Sequence, residues 1–218
     1  MASIYTSNYT TSAYSIPENF VPDADLNKAV WQDVPKLKLE HFRKPKSYIP
    51  RIDTQVAIVY TPSHFYLAYW CKYFEINHFK SENLDVEFWQ LWDKDVVEVF
   101  INPFPEQINT YFEFEVAPNN QWIDLAINLD NEPMLDVNWD SGFTHATRIY
   151  TKTWVCEMSI PVKSMGVKQI NPGMHWRINF YRCDGIGNVE QRRLLAWSPT
   201  LGNSFHIPQR FGTINFQK

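Results

Sequence analysis

The chain has 218 residues, of which 44% are hydrophobic and 20% charged, and a net charge of -4. That length suits one all-β unit of about 200–250 residues, and no apolar run approaches the roughly 20 residues of a membrane-spanning helix. No Lys/Arg cluster offsets the acidic balance, so the electrostatic footprint of a nucleic-acid binder is missing and nucleic acid is excluded as the expected partner.

Residues 1–20, rich in Ser, Thr, Tyr and Asn without a periodic apolar face, read as an extended or disordered N-terminal arm ahead of a single domain at 21–218. They contain no basic segment followed by an apolar one, so the expected compartment is secreted or periplasmic if a leader has been removed and cytoplasmic otherwise. The sequon Asn8-Tyr9-Thr10 reads as a chance match. Beyond the arm, runs dense in β-branched and aromatic residues recur near 36–41, 55–60, 65–72, 96–102, 111–117, 122–128, 144–150, 154–160, 175–182, 191–197 and 211–217. About eleven strands at short intervals, with no helical period long enough for a βαβ crossover, predict an antiparallel β-sandwich of jelly-roll or immunoglobulin-like type. One or two helical turns are expected, at 82–91, where Leu84, Phe88, Leu91 and Trp92 follow Ser81 at helix spacing, and after Pro161. Cys71, Cys156 and Cys183 all fall in strand runs, too widely spaced for a zinc ribbon or a CxxC pair, and read as small buried hydrophobes.

Two stretches concentrate chemistry. In WDKDVVEVFINP (92–103), Val97, Val99 and Ile101 share one strand face and Glu98 and Phe100 the other, with Asp93 and Asp95 at the entrance. A carboxylate in an apolar strand either lines an open face or holds a partner. Pairing with YFEFEV would bring Glu98 near Glu113 or Glu115, a carboxylate cluster able to accept hydrogen bonds from sugar hydroxyls. In LLAWSPTLGNSFHIPQRFG (194–212), a strand closes at Trp197 and a Pro/Gly/Asn-rich loop presents Phe205 and His206 at a rim. Aromatic faces there suit the C–H face of a pyranose. Between these stretches lies 129–143, where Asp136, Asn138 and Asp140 alternate as at the start of a calcium loop. Gly142 is one place late, however, and Thr147 stands where an acid is wanted, so an ordinary turn competes with the metal reading.

The pattern WxxDxVExF at 92–100, WVCEMSIP at 154–161, PGMHWRINFYR at 172–182 and AWSPT...NSFHIPQRFG at 196–212 together resemble the family 9 carbohydrate-binding modules across roughly residues 25–217. The resemblance implies a β-sandwich that clasps a terminal sugar ring between two aromatic side chains, here Trp92 and Phe205, with Glu98 as the ligand-binding acid. Phe stands where the family has Trp, the family's arginine on the next strand has no counterpart in YFEFEV, and Gly202 stands where an Asn is expected, beside Asn203. The expected binding set is therefore Trp92, Asp95, Glu98, Glu113, Arg182, Trp197, Phe205 and His206. No cofactor is required; structural calcium, as in family members, is the metal expectation, with Asp136, Asn138 and Asp140 as its ligands. The expected partner is a carbohydrate, and the sequence carries no signal of oligomeric state. The competing readings are a glycoside hydrolase using a carboxylate pair around Glu98, an interaction module with a decayed sugar site, and a haem carrier through Met174 and His175, whose adjacency on a strand points them to opposite faces.

Overall fold

The structure is a computed structural model and describes residues 7–80, 83–188 and 190–218. In chain order its strands are β1 (Thr10–Ser15), β2 (Leu37–Lys38), β3 (Glu40–His41), β4 (Thr54–Tyr60), β5 (His64–Lys72), β6 (Val96–Asn102), β7 (Thr110–Val116), β8 (Trp122–Asn128), β9 (Leu135–Asp136), β10 (Thr144–Ile149), β11 (Thr153–Pro161), β12 (His175–Asp184), β13 (Arg193–Ala196) and β14 (Gly212–Gln217). Their spatial order is β10-β11-β5-β4-β1-β14-β12-β6-β7-β8-β9, with β13 beside β12. This curled sheet folds into a β-sandwich: β4, β5 and β11 face β6, β7, β12 and β14 across one apolar core.

Alternation along the strands sets that core. Val56 and Ile58 of β4, Phe65, Leu67 and Tyr69 of β5, and Trp154, Cys156 and Met158 of β11 meet Val97, Val99 and Ile101 of β6, Phe114 and Val116 of β7, and Trp176, Ile178 and Phe180 of β12. Each fully buried side chain of this kind contributes about 1.5–3 kcal/mol of transfer free energy. All three cysteines are unpaired and buried. Burial pushes the Cys71 thiol up to about 12, so it behaves as a small hydrophobe.

The sheet is mixed, which corrects the purely antiparallel expectation. β1 runs parallel to both β14 and β4, with Ser12 opposite Asn215 and Tyr14 opposite Val59. Residues 10–15 of the expected arm are therefore a central strand joining the two layers. Only Ala13 in β1 is buried. The strand is held by its backbone ladder, so it carries no apolar alternation. Residues 16–34 then cross the outside of one layer. Trp31 packs there on Ala57, Val59 and Tyr66, and buried Glu157 accepts hydrogen bonds from Trp31 Nε1 (2.7 Å), Lys28 Nζ and the backbone of Asp23 and Ala24.

The helix expected at 82–91 does not form among the described residues; Ser81 and Glu82 lie outside them. The chain there is tied to β8 through its backbone, with Phe88 N donating to Trp122 O and Trp122 Nε1 to Leu84 O, and Leu84 is exposed rather than packed on a helical stripe. A 3-10 turn at Leu91–Asp93 follows, and a second forms after Pro161 at Val162–Met165.

Candidate functional site

The outer face of the β12-β6-β7-β8 layer is a second apolar surface, formed by Phe100, Tyr111, Leu125, Tyr181 and Leu194 with Phe42 and Phe205 packed on it. Glu98 of β6 and Glu113 and Glu115 of β7 stand on this face because they lie out of phase with Val97, Val99, Phe114 and Val116. The β6–β7 register puts Glu98 directly opposite Glu115, and Glu113 opposite Phe100. All three carboxyls are buried. They form the floor of a cavity of about 270 Å³ walled by Trp92, Phe42 and Phe205 and rimmed by Asn203, Ser204, His206 and Arg192.

The two aromatic walls are built differently. Trp92 sits in the 3-10 turn after Gln90, which takes a left-handed conformation at φ 64°. Its half-buried indole is braced edge-on by Trp89 at 5.0 Å, and its carbonyl accepts from Arg192 Nη2. Phe205 is only 9% exposed. One of its faces stacks on Tyr181 at 4.1 Å and 14°, and its edge meets Phe42 at 5.6 Å. Exposed His206 lies over Phe100 and places Nδ1 2.7 Å from Tyr111 Oη.

The floor is electrostatically crowded. Burial, together with the neighbouring Glu113 charge, pushes Glu98 up to about 8. Burial likewise raises Glu113. Glu115 is held well above the usual carboxylate range by burial and by the charges of Glu98 and Glu113. Arg192 is turned away from them, with Nη2 also donating to Lys94 O at 3.0 Å and Nε to Gly185 O at 3.2 Å.

Of the expected binding residues, Trp92, Glu98, Glu113, Phe205 and His206 line this one cavity. Arg182, Trp197 and Asp95 do not, which corrects the set expected from sequence. Arg182 and Trp197 have the wrong strand parity: Arg182 is opposite Val97, and Trp197 lies in phase with Leu195, so both point into the inter-sheet core. Arg182 pairs with Asp184 at 2.6 Å and donates to Lys72 O and Thr54 Oγ1. Trp197 packs on Phe180 and so closely over Gly212 that a Cβ there would meet the indole at 2.3 Å. Buried Asp95 accepts from the backbone of Asn77 (2.8 Å) and Gly185 (2.6 Å) and pins two loops.

Sequence reasoning missed Phe42, on a segment distant from both stretches, and Arg192, just ahead of β13; neither carried a motif. In the 129–143 loop, the Asp136 and Asp140 carboxylates accept from the backbone N–H of Asn138 (3.0 Å) and Gly142 (2.8 Å), the pattern of Asp-initiated turns. Met174 and His175 do not converge: the Met174 sulfur accepts from Asn171 N, while His175 is exposed.

Residues 23–218 match the family described as Carbohydrate family 9 binding domain-like, and the chain belongs to that family. An Extracellular protein of Arthroderma benhamiae is 29% identical over 158 residues, 66% of this chain and 68% of that protein. Endo-1,4-beta-xylanase C of Paenibacillus barcinonensis is 26% identical over 128 residues, 58% of this chain but 11% of the enzyme, so the chain spans about a tenth of that relative. Among solved structures, a carbohydrate binding module family 9 from Caldicellulosiruptor kristjanssonii in complex with cellotriose superposes with a TM-score of 0.69 at 14% identity, covering 96% of this chain and 94% of that one. The fold is thus shared while most side chains differ.

Proposed function

We propose that this protein is a non-catalytic carbohydrate-binding module that takes the end of an oligosaccharide or polysaccharide into the cavity between Trp92 and Phe205. The observation that carries this reading is the meeting of two sequence-distant aromatic walls over a polar floor in one cavity. A pyranose presents apolar C–H faces to rings and hydroxyls to acceptors and donors, which is the chemistry lining the cavity. Glu98, Glu113 and Glu115 are the acceptors at the floor, and Asn203, Ser204 and His206 are polar groups at the rim. Family membership supports the reading, as does the cellotriose-bound C. kristjanssonii module with the same fold.

The test is isothermal titration of the intact protein with glucose, cellotriose and xylo-oligosaccharides, alongside Trp92→Ala. A sugar that binds the native chain and loses at least tenfold in affinity in the variant supports the assignment. No heat with any sugar at millimolar concentration, or equal affinity in the variant, overturns it.

A further inference from the structure

Glu98, Glu113 and Glu115 each offer a carboxylate oxygen such that the three atoms lie within 4.8 Å of one another. Both oxygens of Glu115 and Oε2 of Glu113 are buried, and apart from the carboxyl–carboxyl contact between Glu113 and Glu115 themselves no side-chain or backbone donor among the described residues reaches them. Glu98 Oε1 receives the weak S–H of Cys183 at 3.1 Å. Glu115 is fully buried and lines the cavity. Like charges set directly opposite on paired strands repel, and burial removes the water that would screen them. Arg192, the cation in the cavity wall, directs its donors to backbone carbonyls, and among the described residues it makes no ion pair with these acids. A single guanidinium thus stands beside three acids and neutralises none of them by direct contact.

Such a floor fits a divalent cation at its centre. All three donors are oxygens, the choice of a hard ion. Oxygens held by one Ca²⁺ at about 2.3–2.6 Å lie at most about 5 Å apart, which accommodates the observed grouping. Calcium takes about 6–8 oxygens, so three carboxylates leave positions facing the space between Trp92 and Phe205. We propose that Glu98, Glu113 and Glu115 form a calcium site at the cavity floor, whose ion completes its coordination with adjacent hydroxyls of the bound sugar. The second half of this proposal rests on the sugar-binding reading; the ion site itself does not.

Chelator-stripped intact protein, titrated calorimetrically with Ca²⁺ alone, is expected to bind one ion at this site with a Kd of about 10⁻⁶–10⁻⁴ M. Glu115→Gln and Glu113→Gln, each checked for an unchanged circular dichroism spectrum, are expected to weaken that binding at least tenfold. Asp140→Asn, in the loop at 129–143, should leave it intact. The absence of Ca²⁺ binding overturns the site, and so does binding that survives both glutamate substitutions but is lost in Asp140→Asn. Repeating the sugar titrations in Ca²⁺ and in excess EGTA separates the two halves. At least tenfold weaker sugar binding in EGTA supports the bridge, and equal affinity overturns it. Calcium binding with no sugar binding in either buffer sinks the sugar reading and leaves the ion site standing. Tighter binding of glucosamine in EGTA than of glucose in Ca²⁺ overturns the metal site in favour of an ammonium pocket.

Discussion

Trp92 and Phe205 share a cavity but do different jobs, and substitution separates them. Trp92 is half-buried on a 3-10 turn and braced at its edge by Trp89, so its ring is available as a binding surface. Trp92→Ala is expected to weaken sugar binding by about 2 kcal/mol, roughly 30-fold, with little change in melting temperature. Phe205 is stacked on Tyr181 and wedged against Phe42, so Phe205→Ala should cost about 3 kcal/mol of stability as well as affinity. Urea denaturation beside calorimetric sugar titration distinguishes the two profiles. Arg182 gives the reciprocal case. Its guanidinium is sealed against Asp184, Thr54 and Lys72 O. Removing one partner of such a buried pair costs about 3–5 kcal/mol. Arg182→Ala should therefore lower the urea midpoint sharply while sugar affinity in the folded fraction stays within about threefold; a selective loss of affinity would return Arg182 to the site.

At the scale of elements, β1 closes the seam between the two layers. It satisfies the backbone of β14 on one side and β4 on the other. Its removal would leave two unpaired strand edges, ready templates for association. Deleting residues 1–15 is expected to lower the melting temperature by about 10 °C or more and to produce larger species on size exclusion; a monodisperse truncation with an unchanged melt would refute this central role. The β6–β7 pair shows how register makes a site. A slip of one residue would send the glutamates into the core and the valines to the cavity, so the inward Val97, Val99 and Phe114 fix the outward Glu98 and Glu113.

At the scale of the whole molecule, binding and pH both act on the folding equilibrium. A sugar that binds only the folded state stabilises it by RT ln(1 + [L]/Kd), about 2.7 kcal/mol at 100 times Kd, which a thermal shift reads directly. His145 supplies an acid-side sensitivity. It packs between Trp122 and Phe143 beside Asn120 Oδ1, and burial lowers its pKa to about 4. The unfolded chain then binds this proton more readily than the folded one, so the stability that neutral His145 contributes is fully present above about pH 6.5 and falls as pH drops towards 4. The loss is on the order of 2 kcal/mol after allowance for partial exposure. In urea titrations at pH 7 and pH 4.5, His145→Asn should reduce the difference between the two midpoints; an undiminished difference would remove His145 from the account.

Alternation and turn chemistry made most strands legible in the sequence: β6 and β8 fall where the runs at 96–102 and 122–128 predicted, because side-chain period is a local property of the chain. The same periodicity put Glu98 and Phe100 on one face and predicted its meeting with the glutamates of YFEFEV. β1 escaped because a strand paired on both sides needs no apolar pattern of its own. Arg182 and Trp197 stand inside the motifs, yet strand parity alone sends them inward, in phase with Phe180 and Leu195. Phe42 was beyond reach for a different reason: its place in the cavity depends on which distant segments the sandwich brings together. Local sequence specifies faces and periods, whereas convergence of side chains from separate strands and loops exists only once the layers have packed.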